Sequence, residues 1–147
     1  MPEISKTLQP VFTTNFILVT IINLFVFFSF QMIFPTLPLY IKSLGGTDSV
    51  IGLVMGTFMI TSLATRPFAG LALDKIGRKQ VFIIGLVVLG LSAFAYSLAA
   101  SVTMIVFIRL LHGFGWGIAG TATSTVAAEI IPRAVSYTHL RAHETRG

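Results

Sequence analysis

Cysteine is absent from the 147 residues, which excludes a disulfide framework and a thiolate metal site. Charge is scarce as well. Asp, Glu, Lys and Arg make up 10% of the chain, against roughly 25% in an ordinary soluble domain. So few charges cannot cover a surface facing water, and lipid is the solvent this composition fits. The charge that is present leans basic, with a net +5. The Lys and Arg residues are scattered along the chain, a pattern that fits the loops of a membrane protein and excludes a nucleic-acid footprint. No nucleophile stands in a recognisable pairing with a base, so nothing indicates an enzyme. The first apolar run is expected to stay as a membrane span rather than be cleaved as a leader: Glu3 and Lys6 precede it without a basic cluster, and Phe34-Pro35-Thr36-Leu37-Pro38 stands where a small-x-small site would be needed.

What the sequence has instead is apolar length. Apolar residues reach 54%, with 13 Phe and 13 Gly; glycine in this setting allows helices to approach closely. A span needs about 20 mostly apolar residues to cross the hydrocarbon layer. Four segments meet that, at residues 12–34, 49–73, 80–100 and 102–130. Pro35 and Pro38 mark the exit of the first, Gly45-Gly46-Thr47-Asp48 forms a turn, and Pro132 closes the fourth. The runs are continuous rather than alternating, which excludes barrel strands and predicts an all-α integral membrane fold. Lys6, Lys75, Arg78, Lys79 and Arg133 fall on one side of these spans and Lys42 on the other. The more basic side is the cytoplasmic one, so the N-terminus and the connection between the second and third spans are expected in the cytoplasm, with the protein in the cell's inner membrane.

The character of the chain changes after Ala134. Val135-Ser136-Tyr137-Thr138-His139-Leu140-Arg141-Ala142-His143-Glu144-Thr145 resembles the translation of a transposon-end adapter used in preparing DNA sequencing libraries. On that resemblance residues 135–147 are a non-native tail, and residues 1–134 are the credible protein. His139 and His143 have the four-residue spacing of zinc ligands on a helix, but the resemblance removes them from consideration; no metal and no cofactor is expected.

Gly70-Leu71-Ala72-Leu73-Asp74-Lys75-Ile76-Gly77-Arg78-Lys79 lies between the second and third spans. Gly70 and Asp74 are one helical turn apart, so Gly70 lets another helix pack beside the carboxylate. Asp74 can pair with Arg78 or meet the positive N-terminus of a neighbouring helix, and Gly77 permits a sharp turn. This segment matches G-x-L-x-D-[RK]-x-G-R-[RK] at every fixed position, and so resembles the signature loop of the major facilitator superfamily, in the place that family has it. The resemblance implies a conformational latch at Gly70, Asp74, Lys75, Gly77, Arg78 and Lys79, and a charge cluster of Asp74, Arg78 and Glu129. An ordinary positive-inside loop would explain Lys75 and Lys79 but neither the glycines nor the aspartate.

Arg109-Leu110-Leu111-His112-Gly113-Phe114-Gly115 in the fourth span resembles the R-x-x-x-G-x-G motif of proton-linked antiporters in the same superfamily. Arginine inside a span costs at least about 2.5 kcal/mol to insert and faces the interior of a bundle. Arg109, Gly113, Gly117, Gly120 and Ser124 recur every three or four residues, which predicts one polar, small-residue stripe packed on another helix. The resemblance implies a proton-coupling role for Arg109; the bland reading is a structural arginine bonded to carbonyls. Gly115-Trp116-Gly117-Ile118-Ala119-Gly120 matches a dinucleotide fingerprint in letters alone. Inside a span it reads as helix packing through Gly113, Gly115 and Gly117, with Gly52 and Gly56 a further packing pair. His112 reads as a hydrogen-bonded packing histidine and Arg66 as a snorkelling one.

The first span departs from the drug–proton antiporter pattern, because it has no carboxylate. It offers Asn23 and Gln31 on one face with Phe27 between them, candidates to line a substrate cavity or, more plainly, helix-contact amides. The resemblance implies four helices of a six-helix N-terminal half in a twelve-helix transporter. That transporter would move a small molecule by alternating access in proton-linked efflux, with lipid and the absent helices as partners. The fragment alone would be inactive. The rival reading is a small four-helix membrane protein with a structural or partner-binding role.

Overall fold

The computed structural model describes residues 14–130, save the side chains of Glu129 and Ile130. They form four helices: α1 (Thr14–Ser43), α2 (Asp48–Ile76), α3 (Arg78–Tyr96) and α4 (Val102–Ile130). Among the described residues there is no strand. All four are long and apolar enough to cross a membrane. At about 1.5 Å per residue, the 30 residues of α1 and the 29 of α2 and α4 outreach a hydrocarbon layer of roughly 30 Å, whereas the 19 of α3 just match it.

α4 is the hub. Half of its most apolar stretch is buried, against none of that of α1. One apolar cluster, built on Leu37, Ile41, Val54, Ala99, Ile105 and Ile108, closes the end that holds the α1–α2 turn. A second, built on Ala69, Leu73, Val81, Ile118 and Ala122, closes the end that holds the α2–α3 turn. Between them α2, α3 and α4 approach closely on glycines. A Cβ added at Gly113 would lie 2.7 Å from the carbonyl oxygen of Phe58, and one at Gly117 2.7 Å from that of Ser62. Gly85 of α3 stands equally tight against the backbone of Ala119, and Gly115 of α4 against Val88 and Leu89. In lipid, where apolar burial drives little, such close backbone approach is what holds helices together.

Three expectations are corrected. The first span does not end at Pro35: helix α1 runs on through Pro35 and Pro38 to Ser43. A proline takes away one N–H and crowds the carbonyl four residues back, but a membrane helix has no water to offer its backbone and therefore continues. Second, Gly52 and Gly56 are not a packing pair among the described residues, since none of these lies within 4 Å of a Cβ built on either. No described element covers that face of α2. Third, the small-residue stripe of α4 packs only in part: Gly113 and Gly117 meet α2, whereas Gly120 meets open space and Ser124 is exposed.

The connections are short and locally determined. Thr47 caps α2 by accepting from the Val50 N–H at 3.4 Å, with Asp48 in the first turn where a negative charge suits the helix dipole. Ser101 accepts from the Met104 N–H at 3.3 Å at the start of α4. Gly77, at φ +102°, is the single residue between α2 and α3, and only glycine adopts that backbone without strain. Within the helices, hydroxyls donate to carbonyls four residues back, as in Thr57 to Leu53, Thr61 to Thr57 and Thr65 to Thr61 on α2. This is how polar side chains are satisfied without water.

Candidate functional site

Arg109 lies in the second turn of α4 and is 1% exposed. Four residues further on, Gly113 removes the side chain that would hold α2 away, so α2 closes over the arginine. Its guanidinium carbon stands 5.2 Å from the Phe58 ring centroid and 5.9 Å from that of Tyr96. One terminal nitrogen donates to Met55 Sδ at 3.2 Å, and Nε is buried with no hydrogen-bond partner. Among the described residues the cation is thus held by two aromatic faces and a thioether, without a carboxylate. Such contacts are favourable by about 0.5–2 kcal/mol each, and they leave the charge itself uncompensated.

His112 is 4% exposed, and its Nδ1 is 3.3 Å from Tyr96 Oη. Its ring is edge-on to Phe58 at 5.3 Å, to Tyr96 at 5.8 Å and to Phe30 of α1 at 6.1 Å. Phe30 in turn stacks on Phe58 at 5.0 Å and lies 4.7 Å from Trp116. All four helices therefore meet at one aromatic and cationic cluster. Sequence reasoning singled out Arg109 and His112 but missed Met55, Phe58 and Tyr96. Only Tyr96, a hydroxyl at the close of an apolar run, carried a sequence signal.

The α1 candidates separate. Asn23 Oδ1 accepts from Thr123 Oγ1 of α4 at 3.2 Å. Asn23 and Phe27 line a cavity of 190 Å³ with Leu86, Trp116 and Gly120. Gln31 is exposed and outside that lining. The same face of α1 thus delivers two of the three residues to one cavity, and the third is carried past it.

The Gly70–Lys79 segment is nearly all helix rather than loop. Asp74 and Lys75 close the last turn of α2, and Arg78 and Lys79 open α3. Asp74 and Arg78 are exposed, as is Gly77. Asp74 makes no ion pair among the described residues, whereas Lys42 and Asp48 pair at 3.0 Å at the other end of the bundle. A Cβ at Gly70 would meet nothing within 4 Å. The side chain of Glu129 lies outside the described residues, as do His139, His143 and the whole of 135–147. Among the described residues no group of His, Cys, Asp or Glu could hold a metal ion.

Comparison with known proteins agrees with this architecture. The chain is 30% identical over 117 residues to the quinolone resistance protein NorA of Staphylococcus aureus. It is 33% identical over 109 residues to multidrug resistance protein 2 of Bacillus subtilis strain 168. These alignments cover 79% and 74% of this chain, but 30% and 27% of the relatives, so the chain spans under a third of their length. The model of one family, the Major Facilitator Superfamily, matches residues 19–137. Four apolar helices, the Gly70–Lys79 segment at the α2–α3 turn and that match together place this multi-pass membrane chain in the Major Facilitator Superfamily, a family of transporters rather than enzymes.

Proposed function

We propose that this chain is the first part of a secondary active exporter that moves a drug or metabolite across the cell's inner membrane in exchange for protons. Residues 1–134 supply helices 1–4 of a six-helix N-terminal half, within a protein of about twelve helices working by alternating access. Residues 135–147 are not native to it, and the N-terminus and α2–α3 turn face the cytoplasm. Two resistance proteins among the relatives support export, since removing a toxic compound is one way to resist it.

The observation that carries the proposal is the uncompensated Arg109, 1% exposed in the middle of four apolar helices. A charge so placed costs several kcal/mol and makes no sense as a packing device, because an apolar residue of similar volume would pack as well or better. It makes sense as a fixed positive potential that governs when a nearby acid can hold a proton. α1 contains no acid, and Asp48 and Asp74 stand at the two ends of α2, so the proposal places that acid in the remainder of the transporter. Asn23, Phe27 and Trp116 line one wall of the substrate site. Their 190 Å³ cavity is smaller than the roughly 300–1,000 Å³ of ordinary ligand sites, as half of a divided site would be. Gln31, exposed and outside that lining, is not placed in that wall.

The α2–α3 turn supplies the latch. Asp74 sits at the negative end of α2, and Arg78 and Lys79 at the positive start of α3, so each opposes its own helix dipole. Local stability does not select that arrangement. A charge cluster with Glu129 and contact with a helix beside the vacant Gly70 would. The fragment alone does not transport, because half the cavity is absent.

The test has two steps. The gene is resequenced from intact genomic DNA through codon 134; a frame that continues into further apolar spans is expected, and a genomic stop after Gly147 would overturn the fragment reading. The complete protein is then reconstituted in liposomes with an imposed pH gradient. Export of a fluorescent drug coupled to proton entry is expected, and flux indifferent to the gradient would sink the proton claim.

A further inference from the structure

A second cavity, of 430 Å³, opens between the latter part of α1 and the end of α3. It is distinct from the Asn23 cavity and shares no residue with it. Its volume is within the range of small-molecule sites. Met32, Ile33 and Leu37 give it an apolar wall, and Thr36, Tyr40, Tyr96 and Ser97 are its four hydroxyl-bearing residues.

The state of those hydroxyls decides what they can recognise. Thr36 Oγ1 donates to the Met32 carbonyl at 2.7 Å, Tyr40 Oη to the Ala99 carbonyl at 2.5 Å, and Ser97 Oγ to the Phe94 carbonyl at 2.6 Å. A hydroxyl has one proton and two lone pairs. The fourth, Tyr96 Oη, lies 3.3 Å from His112 Nδ1 and donates to it when that nitrogen carries no proton; with the protons so committed, lone pairs are what these hydroxyls have left to offer the cavity. The cavity is therefore apolar, with hydrogen-bond acceptors and no uncommitted hydroxyl donor, a lining that selects a ligand bearing N–H or O–H groups.

Charge decides the rest. The seventh lining residue is Tyr96, and the Arg109 guanidinium stands 5.9 Å from the centre of its ring. A cation in the cavity would meet that fixed positive charge across one aromatic ring, in a medium that screens it poorly. An anion would meet the acceptor oxygens. We infer that the α1–α3 cavity is a binding site for neutral, apolar molecules carrying a hydrogen-bond donor, such as indoles, anilides or phenols. The inference stands whether or not the parent protein exports anything.

The site is tested on the complete protein, of which this chain is the first part, in lipid nanodiscs, with empty nanodiscs subtracting partition into lipid. The probes are 2-phenylindole, its 1-methyl analogue, which keeps shape and apolarity and loses the N–H, and a 2-phenylindole carrying a trimethylammonium group. The donor should bind about tenfold tighter than its methyl analogue, the equivalent of one or two hydrogen bonds, and tighter than the cation. In a Thr36→Val, Ser97→Ala double variant the donor-to-methyl ratio should fall to near one. Thr20→Val removes a hydroxyl bonded in the same way about 24 Å from Thr36 along α1 and should leave the ratio intact. Equal affinity of the two indoles for the parent chain overturns the inference. So does a ratio that survives the double variant, or a cation that binds tighter than the neutral donor. Should the double variant lose its helical circular dichroism, Ser97→Ala alone, at an exposed helix end, should lower the ratio about threefold, and an unchanged ratio there overturns the inference equally.

Discussion

α4 and α1 are both long apolar helices, yet half of the apolar stretch of one is buried and none of the other. The difference lies in where the small residues stand. α4 presents Gly113 and Gly117 to α2 and Gly115 to α3 at separations that admit no side chain. α1 has no glycine and touches the bundle through large or polar groups: Phe30 on Phe58 and Trp116, Asn23 on Thr123, Tyr40 on Ala99. The same sorting runs through the rest of the chain. Gly52, Gly56, Gly70 and Gly90 meet open space. One region is a finished helix interface, and the other retains faces that nothing in residues 14–130 covers.

Arg109 gives the sharpest way to break that comparison, because in the finished region stability and function should separate. Arg109→Met in the complete transporter is expected to cut proton-coupled export at least about a hundredfold, the loss of a coupling charge being worth several kcal/mol. Its resistance to unfolding should be unchanged or raised by up to ~4 kcal/mol, as when a buried charge gives way to a packed apolar side chain. Transport assay and unfolding in bicelles measure the two. A variant that loses stability along with transport would make Arg109 a structural residue.

The next effect concerns glycine alone. Gly117→Ala puts a Cβ 2.7 Å from the Ser62 carbonyl and should destabilise the four-helix unit by about 1–3 kcal/mol. Gly56→Ala puts the same methyl into open space and should stabilise it by about 0.5–1 kcal/mol through helix propensity. Equal effects would mean that the two faces are not different after all.

How much of this was legible in the sequence follows the same division. Four apolar runs and a glycine-rich signature sufficed for the fold class and the family, because hydrophobic length and short motifs are local properties. Arg109 was legible as a buried charge, since its cost in lipid is independent of its neighbours. What surrounds it was not: Met55 and Phe58 on α2 and Tyr96 on α3 look like ordinary span residues until helix rotation brings them together. Helix rotation also decides that Gly113 is filled and Gly56 empty, and that Asn23 reaches the cavity while Gln31 does not. The prolines misled for a physical reason. They punctuate a chain in water, where a freed carbonyl finds a solvent molecule, and fail to do so at membrane depth.

The last effects rank the attachments of α1, down to the smallest. Phe30→Ala, at a half-buried ring in contact with four others, should cost about 1–3 kcal/mol. Asp48→Asn breaks the Lys42 pair, but with the two side chains 58% and 87% exposed the expected cost is about 0–1 kcal/mol. Trp116 is the sole tryptophan and lies directly beneath Phe30, so its emission reports the docking of α1. Phe30→Ala should shift that emission well before global unfolding, and Asp48→Asn should leave it in place. If Asp48→Asn moved it as far, α1 would be held from its end by charge rather than along its length by aromatic contact, and its apolar faces would be less available to other helices than the open glycines suggest.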